Sequence, residues 1–142
     1  MRNSARRTVA SILATAASVV ALTGCTGDPD EIAACEELLE RTALSVEGVD
    51  TAEFTCRRDF GNPGEGGTVT LAVDTQRKAT PVIEEVYRAF AREPDIDSAS
   101  IVYFDFTSKS GKEFNDESLG FNGDPYMDQI RDRYDIHPRD SD

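Results

Sequence analysis

Three cysteines, one histidine and 27 carboxylates are the side chains through which this 142-residue chain could act on other molecules. Cys25 follows Leu22-Thr23-Gly24 directly, at the end of an apolar run. A thiol there is a nucleophile that an acceptor group can modify. Cys35 and Cys56 are then left for each other. An exported domain meets an oxidising compartment, where such a pair forms a disulfide; the alternative is two buried free thiols. The bridge would enclose 20 residues and contribute roughly 3 kcal/mol in the chain-entropy model.

The remaining groups support little chemistry. His137 stands alone in the tail HPRDSD, and neither a nucleophilic triad nor a zinc site can be built on a lone tail histidine. Asp105 sits between Phe104 and Phe106. Turned inward it would be a desolvated acid; at the strand's exposed end or edge it is an ordinary surface charge. Glycoside hydrolysis would need a second carboxylate facing it. Asn115-Asp116-Glu117 and Asn122-Gly123-Asp124 offer oxygens of the kind Ca²⁺ takes. They lack the EF-hand spacing and read as a solvated loop with helix caps. The run 61–67 (GNPGEGG) has no Lys-Ser or Lys-Thr after it, and Glu65 would repel phosphate. It reads as a flexible hairpin connection. The basic pairs Arg57-Arg58 and Arg77-Lys78 fall at opposite ends of a hairpin and form no joint patch. No catalytic residue, cofactor site or metal ligand is assigned.

Residues 1–8 carry Arg2, Arg6 and Arg7 and no acid, and residues 9–22 are apolar or small throughout. This is the layout of a secretory signal. Fourteen helical residues rise about 21 Å, short of a ~30 Å hydrocarbon core, which disfavours a transmembrane anchor. Leu22-Thr23-Gly24-Cys25 resembles the bacterial lipobox at all four positions. The resemblance implies a diacylglyceryl group on the Cys25 thiol and cleavage between Gly24 and Cys25. Two acyl chains hold a protein stably on a membrane, where one does not. The Arg6-Arg7 pair lacks the Ser-Arg-Arg start usual in twin-arginine signals, so the general secretion route is expected. The division is then 1–24 signal peptide, 25–27 lipid anchor and short linker, 28–136 one domain, and 137–142 a disordered tail.

Three of the 15 basic residues and none of the 27 acids lie in residues 1–24, so the remainder carries 12 bases, formally −15. Nucleic acid is excluded as a partner, since affinity for it rests on neutralising phosphates. Anionic lipid would also repel the domain within about 8 Å. The lipid, rather than the protein surface, is therefore the expected membrane contact.

The elements follow from periodicity. Asp28-Pro29-Asp30-Glu31 starts a helix whose inward face is Ile32, Cys35, Leu38, Leu39 and Thr42, ending before Gly48. Residues 50–58 alternate, with Ala52, Phe54 and Cys56 inward. Two independent patterns thus turn Cys35 and Cys56 into one core. Residues 68–75 alternate again, with Val69, Leu71 and Val73 inward. Thr80-Pro81 opens a second helix with the stripe Val82, Ile83, Val86, Tyr87 and Phe90, ended by Pro94. Residues 98–107 read as a central strand, followed by a turn at 109–112 and a short strand at Glu113-Phe114. Asp124-Pro125 begins a last helix with Tyr126, Met127, Ile130 and Tyr134 on one face. The order α-β-β-α-β-β-α predicts an α+β two-layer sandwich, with helices on one face of a mainly antiparallel sheet of 3–4 strands. The strand–helix–strand part (68–107) predicts a crossover.

The middle of the chain faintly resembles BON domains, through Gly48-Val49 before the first strand and Asp95-Ile96-Asp97 before the third. The whole more closely resembles small lipoproteins of high-GC Gram-positive bacteria, in lipobox, cysteine pair and element order. The resulting expectation is a lipid-anchored protein on the extracytoplasmic face of the cell membrane, non-enzymatic, without cofactor, binding an envelope protein or supporting an envelope assembly. The alternatives are a small-molecule or Ca²⁺-binding lipoprotein using the acidic 113–128 loop, and, more weakly, an acid-based cell-wall hydrolase.

Overall fold

The computed structural model describes residues 28–59 and 62–138. The expected signal segment, the expected lipid site at Cys25, the 25–27 linker and the last four residues of the expected tail lie outside the described residues.

Helix α1 spans Pro29–Leu44. Asp28 caps it: its carboxylate accepts the Asp30 amide at 3.0 Å, and Pro29 takes the first position, where no amide donor is needed. The helix buries Leu39 and Ala43 and packs Ile32, Cys35 and Leu38 partly against the core. Gly48, at φ +97°, turns the chain into the sheet. Only glycine holds that angle without strain.

Strand β1 (Val49–Asp59) runs antiparallel to β2 (Asn62–Leu71). Phe54 and Cys56 are buried, while Thr51, Glu53, Thr55 and Arg57 are exposed on the opposite face. Helix α2 (Gln76–Arg92) leads to β3 (Ile101–Ser108), which lies parallel to β2. β4 (Glu113–Phe114) pairs antiparallel with β3. A 3₁₀ turn (Glu117–Leu119) and helix α3 (Met127–Tyr134) complete the chain. The spatial strand order is β1-β2-β3-β4. The α+β architecture is the expected one: helices pack on a sheet in which two of three pairings are antiparallel. The parallel pair follows from the α2 crossover, which returns the chain to the same end of the sheet.

Five local expectations are corrected. The run 61–67 is not a loop: residues 62–67 form the first half of β2. Two of their glycines, Gly66 and Gly67, are there because neighbouring strands leave no room for a side chain. α2 begins at Gln76, not at Thr80, so Pro81 lies inside the helix. Proline removes an interior helical bond, but Ala79 and Ile83 on either side of it are completely buried, and their burial outweighs one missing amide. β2 ends at Leu71, so Val73 lies in the connection, and residues 98–100 precede β3 rather than belonging to it. α3 starts two residues beyond Pro125 and leaves Tyr126 exposed. The Tyr126 amide instead donates to the Gln129 side chain at 2.9 Å.

The core is aromatic. Phe54, Tyr87, Phe90, Phe104 and Phe106 form a chain of tilted and edge-on contacts, the tightest being Phe90–Phe104 at 4.9 Å between centroids. Arg131 of α3 ties the helices together. Its guanidinium donates to the carbonyls of Ala91, Glu93 and Ile96 and to Ser98 Oγ at 2.6–3.2 Å. The bonds to Ala91 and Glu93 satisfy carbonyls at the end of α2 that the helix itself leaves open, and the other two hold the connection that follows.

Candidate functional site

One candidate is a cleft between α1 and the α2–β3 connection. One wall is the face of α1 carrying Glu31, Ala34, Cys35 and Leu38, the other is Asp95 and Ile96, and Glu65 of β2 closes the inner end. Its volume is about 510 Å³, within the roughly 300–1,000 Å³ range of small-ligand sites. α1 can form this wall because its helical repeat turns Leu38 and Leu39 toward the sheet while Glu31 and Glu37 stay at the mouth. Register places Cys56 opposite Glu65, and Glu65 opposite Val102. The glutamate therefore points to the core face.

Glu65 is 2% exposed. The hydroxyl of Ser100, itself fully buried, donates to Glu65 Oε1 at 2.9 Å. A carboxylate in such a place needs this kind of support, since burying a charge without partners is costly. Within the run 61–67, Glu65 reads from sequence as a loop charge. The signal that could have found it is the two-residue period running back from Leu71 and Val69 through Gly67 to Glu65.

Cys35 and Cys56 are joined by a disulfide, with Cα atoms 6.2 Å apart. The bridge clamps α1 to β1 and forms part of the cleft wall. The Cys56 amide, on the open edge of β1, donates to Glu36 Oε1 at 3.2 Å. α1 thus also covers one donor of an edge strand, where unpaired backbone groups invite pairing with other chains.

The other candidates are dispersed. Asp105 is exposed on the open face of the sheet, beside a shallow depression of about 300 Å³ that it shares with Thr68 and Glu113. In the 113–128 segment, Asp116 is engaged by the buried Tyr87 hydroxyl, which donates to it. Burial first, then the bond to Asp116, push the Tyr87 hydroxyl well above its ordinary value. Leu119 anchors the segment in the core. Among the described residues, no group of three or more His, Cys, Asp or Glu is placed to hold a metal ion. His137 is exposed and contacts Asp135 at 3.2 Å. Arg57 stands over the Tyr103 ring, 5.6 Å from its centroid, and bonds its hydroxyl. Arg77 and Lys78 lie on the exposed start of α2. Among the described residues, no helix is long and apolar enough to cross a membrane.

No family model matches the chain, nor does any curated protein or solved structure.

Proposed function

We propose that the chain is a lipid-anchored, non-enzymatic module of the cell envelope that binds a partner protein close to the membrane. The observation that carries this reading is the short path from the lipobox to the fold. Only Thr26, Gly27 and Asp28 separate Cys25 from Pro29, the first residue of α1. Fully extended, that path reaches about 14 Å. The disulfide then fixes α1 to the sheet. A lipid on Cys25 would hold the α1 cleft at the membrane surface, where the partner must also reside. The cleft is also the observation that favours the second reading, a small-molecule binder. Its Ca²⁺ form has less support, because Asp116 is already committed to Tyr87.

The test is the intact mass of the membrane fraction from a lipoprotein-competent host. The expected product begins at residue 25, carries the diacylglyceryl mass and lacks two hydrogens. Cys25→Ala should appear in the soluble fraction. A photo-crosslinker at Leu38 should give one discrete adduct in the anchored protein and none in Cys25→Ala. A wild-type product that is soluble, unlipidated and cut elsewhere would overturn the anchor. Hydrolysis of cell-wall polymer by the purified protein would overturn the non-enzymatic reading.

A further inference from the structure

We propose that Asn122-Gly123 is a modification site: Asn122 converts spontaneously to aspartate and isoaspartate through a cyclic imide with the Gly123 amide, and the isoaspartyl form loosens the segment that ties α3 to the edge of β3. The inference does not rest on the envelope reading.

The dipeptide meets the requirements of the reaction in sequence and in structure. The nucleophile is the amide nitrogen of the residue after an asparagine, and a side chain on that residue shields it. Glycine has none. Of the four asparagines only Asn122 precedes glycine. Asn3 precedes Ser4, Asn115 precedes Asp116, and Asn62 precedes Pro63, which has no amide hydrogen to lose. The ring also closes only where the backbone is free to bring the amide to the side chain, and where water and base have access. Asn122, Gly123 and Asp124 are all exposed and lie outside helix and strand. Among the described residues, none of the three makes a hydrogen bond through backbone or side chain. Gly123 has open space on the side where a Cβ would stand. Asn115 is the contrast: the Gln76 side chain grips its carbonyl at 2.7 Å and its amide at 3.1 Å.

Hydroxide removes the Gly123 amide proton, and the nitrogen attacks Cγ of Asn122. The N–Cγ bond forms, the Cγ–Nδ2 bond breaks, and Nδ2 takes a proton from water and leaves as ammonia. Water then opens the imide. Breaking the new N–Cγ bond gives aspartate. Breaking the original peptide C–N bond gives isoaspartate, whose main chain runs through Cβ and Cγ and is one atom longer. Either product adds a negative charge beside Asp124.

The extra atom must be taken up between two fixed points. Phe121 packs partly against the core, its ring centroid 5.4 Å from that of Tyr87 and 6.5 Å from that of Tyr134. Pro125 is buried, and its carbonyl accepts the Val102 amide at 3.0 Å. Tyr126 bridges to Ile101. The Val102 amide, at the edge of β3, therefore reports on the span.

The experiment is incubation of the folded full chain at neutral and mildly alkaline pH, followed by tryptic digestion and electron-transfer fragmentation. Asn115 and Asn122 fall in one peptide, between Lys112 and Arg131, so each serves as reference for the other. Conversion at Asn122 should exceed that at Asn115 at least tenfold, rise with pH, and yield more isoaspartate than aspartate. Asn122→Gln should abolish it. The folded chain should convert within tenfold of the urea-unfolded chain. Equal conversion at the two asparagines, or folded-state conversion more than tenfold slower than in urea, would overturn the site. Asn122→Asp carries the charge without the added atom and isolates the second half of the proposal. The Val102 amide should exchange hydrogen at least threefold faster in the isoaspartyl protein than in Asn122→Asp. Equal exchange in the two would refute the loosening.

Discussion

Tyr103 occupies the space that a side chain on Gly66 would need. A Cβ built on Gly66 would stand 1.9 Å from Cε2 of the Tyr103 ring. The two residues are register partners on adjacent parallel strands. The ring covers the glycine on the open face of the sheet and leaves Gly66 buried there. Gly66→Ala should therefore destabilise the fold by about 2 kcal/mol, within the usual range for overpacking. Adding Tyr103→Ala should recover part of that loss, because the clash is with a side chain. Gly67→Ala should not be recoverable this way, since its Cβ would meet the Glu53 carbonyl at 2.2 Å. Urea denaturation of the four variants checks both statements; equal rescue of Gly66→Ala and Gly67→Ala would refute the distinction.

Removing the clamp should loosen α1 before it loosens the sheet. α1 fully buries only Leu39 and Ala43, both toward its C-terminal half. Cys35→Ser/Cys56→Ser, or reduction of the wild type, should lower stability by about 3 kcal/mol. Hydrogen exchange should accelerate first in residues 29–38, with α2 and β3 protected as before. Uniform acceleration across the domain would mean that α1 and the sheet open as one unit.

Among the described residues, Arg131 holds α3 to the end of α2 and the connection after it through four bonds, three of them to backbone carbonyls. Arg131→Met keeps much of the stem and leaves those acceptors unsatisfied. The expected loss is about 3 kcal/mol or more, since bonds to charged groups are each worth roughly 1.5–3 kcal/mol. Arg131→Lys should recover little, because a single ammonium cannot reproduce the planar fork of donors. Thermal unfolding of the two variants is the check, and full recovery by lysine would contradict the fork argument.

Tyr87 gives the fold an alkaline limit. In the folded state its hydroxyl is raised above the ordinary value of 10.0, chiefly by burial and then by Asp116. Below 10.0 both states keep the proton, so the contribution to stability is constant. As pH rises through 10.0 the unfolded chain ionises first and the folded chain does not. Stability should then fall by about 1.4 kcal/mol per pH unit for this group. Tyr87→Phe should remove that slope, and at neutral pH should cost about 1 kcal/mol through the lost bond. Denaturant titrations between neutral and alkaline pH measure both; an unchanged slope in Tyr87→Phe would assign the alkaline loss to other groups.

Much of the fold was legible because each side chain was read against one neighbour, the core. The helical repeat of Ile32, Cys35, Leu38 and Leu39 and the alternation of Ala52, Phe54 and Cys56 each need only a buried and an exposed side. From these alone the cysteines could meet, and they do. The stripe of α2 and the order of elements along the chain were readable for the same reason. The lipobox resemblance is purely local, four residues read as a string.

What only the tertiary structure decided is where a residue's environment comes from chain distant in sequence. Gly64, Gly66 and Gly67 carry no side chain and so no pattern. They are strand residues because β1 and β3 pair with them from either side, pressing Tyr103 against Gly66 and Glu53 and Phe54 against Gly67. Glu65 reads as a solvated loop charge until β2 lies between Cys56 and Val102 and Ser100, 35 residues later, reaches its carboxylate. The cleft has no sequence signature at all, because its walls come from α1, β2 and the residues before β3. Periodicity records which side of an element is apolar; it does not record which other element will cover that side, and the cleft depends on the covering.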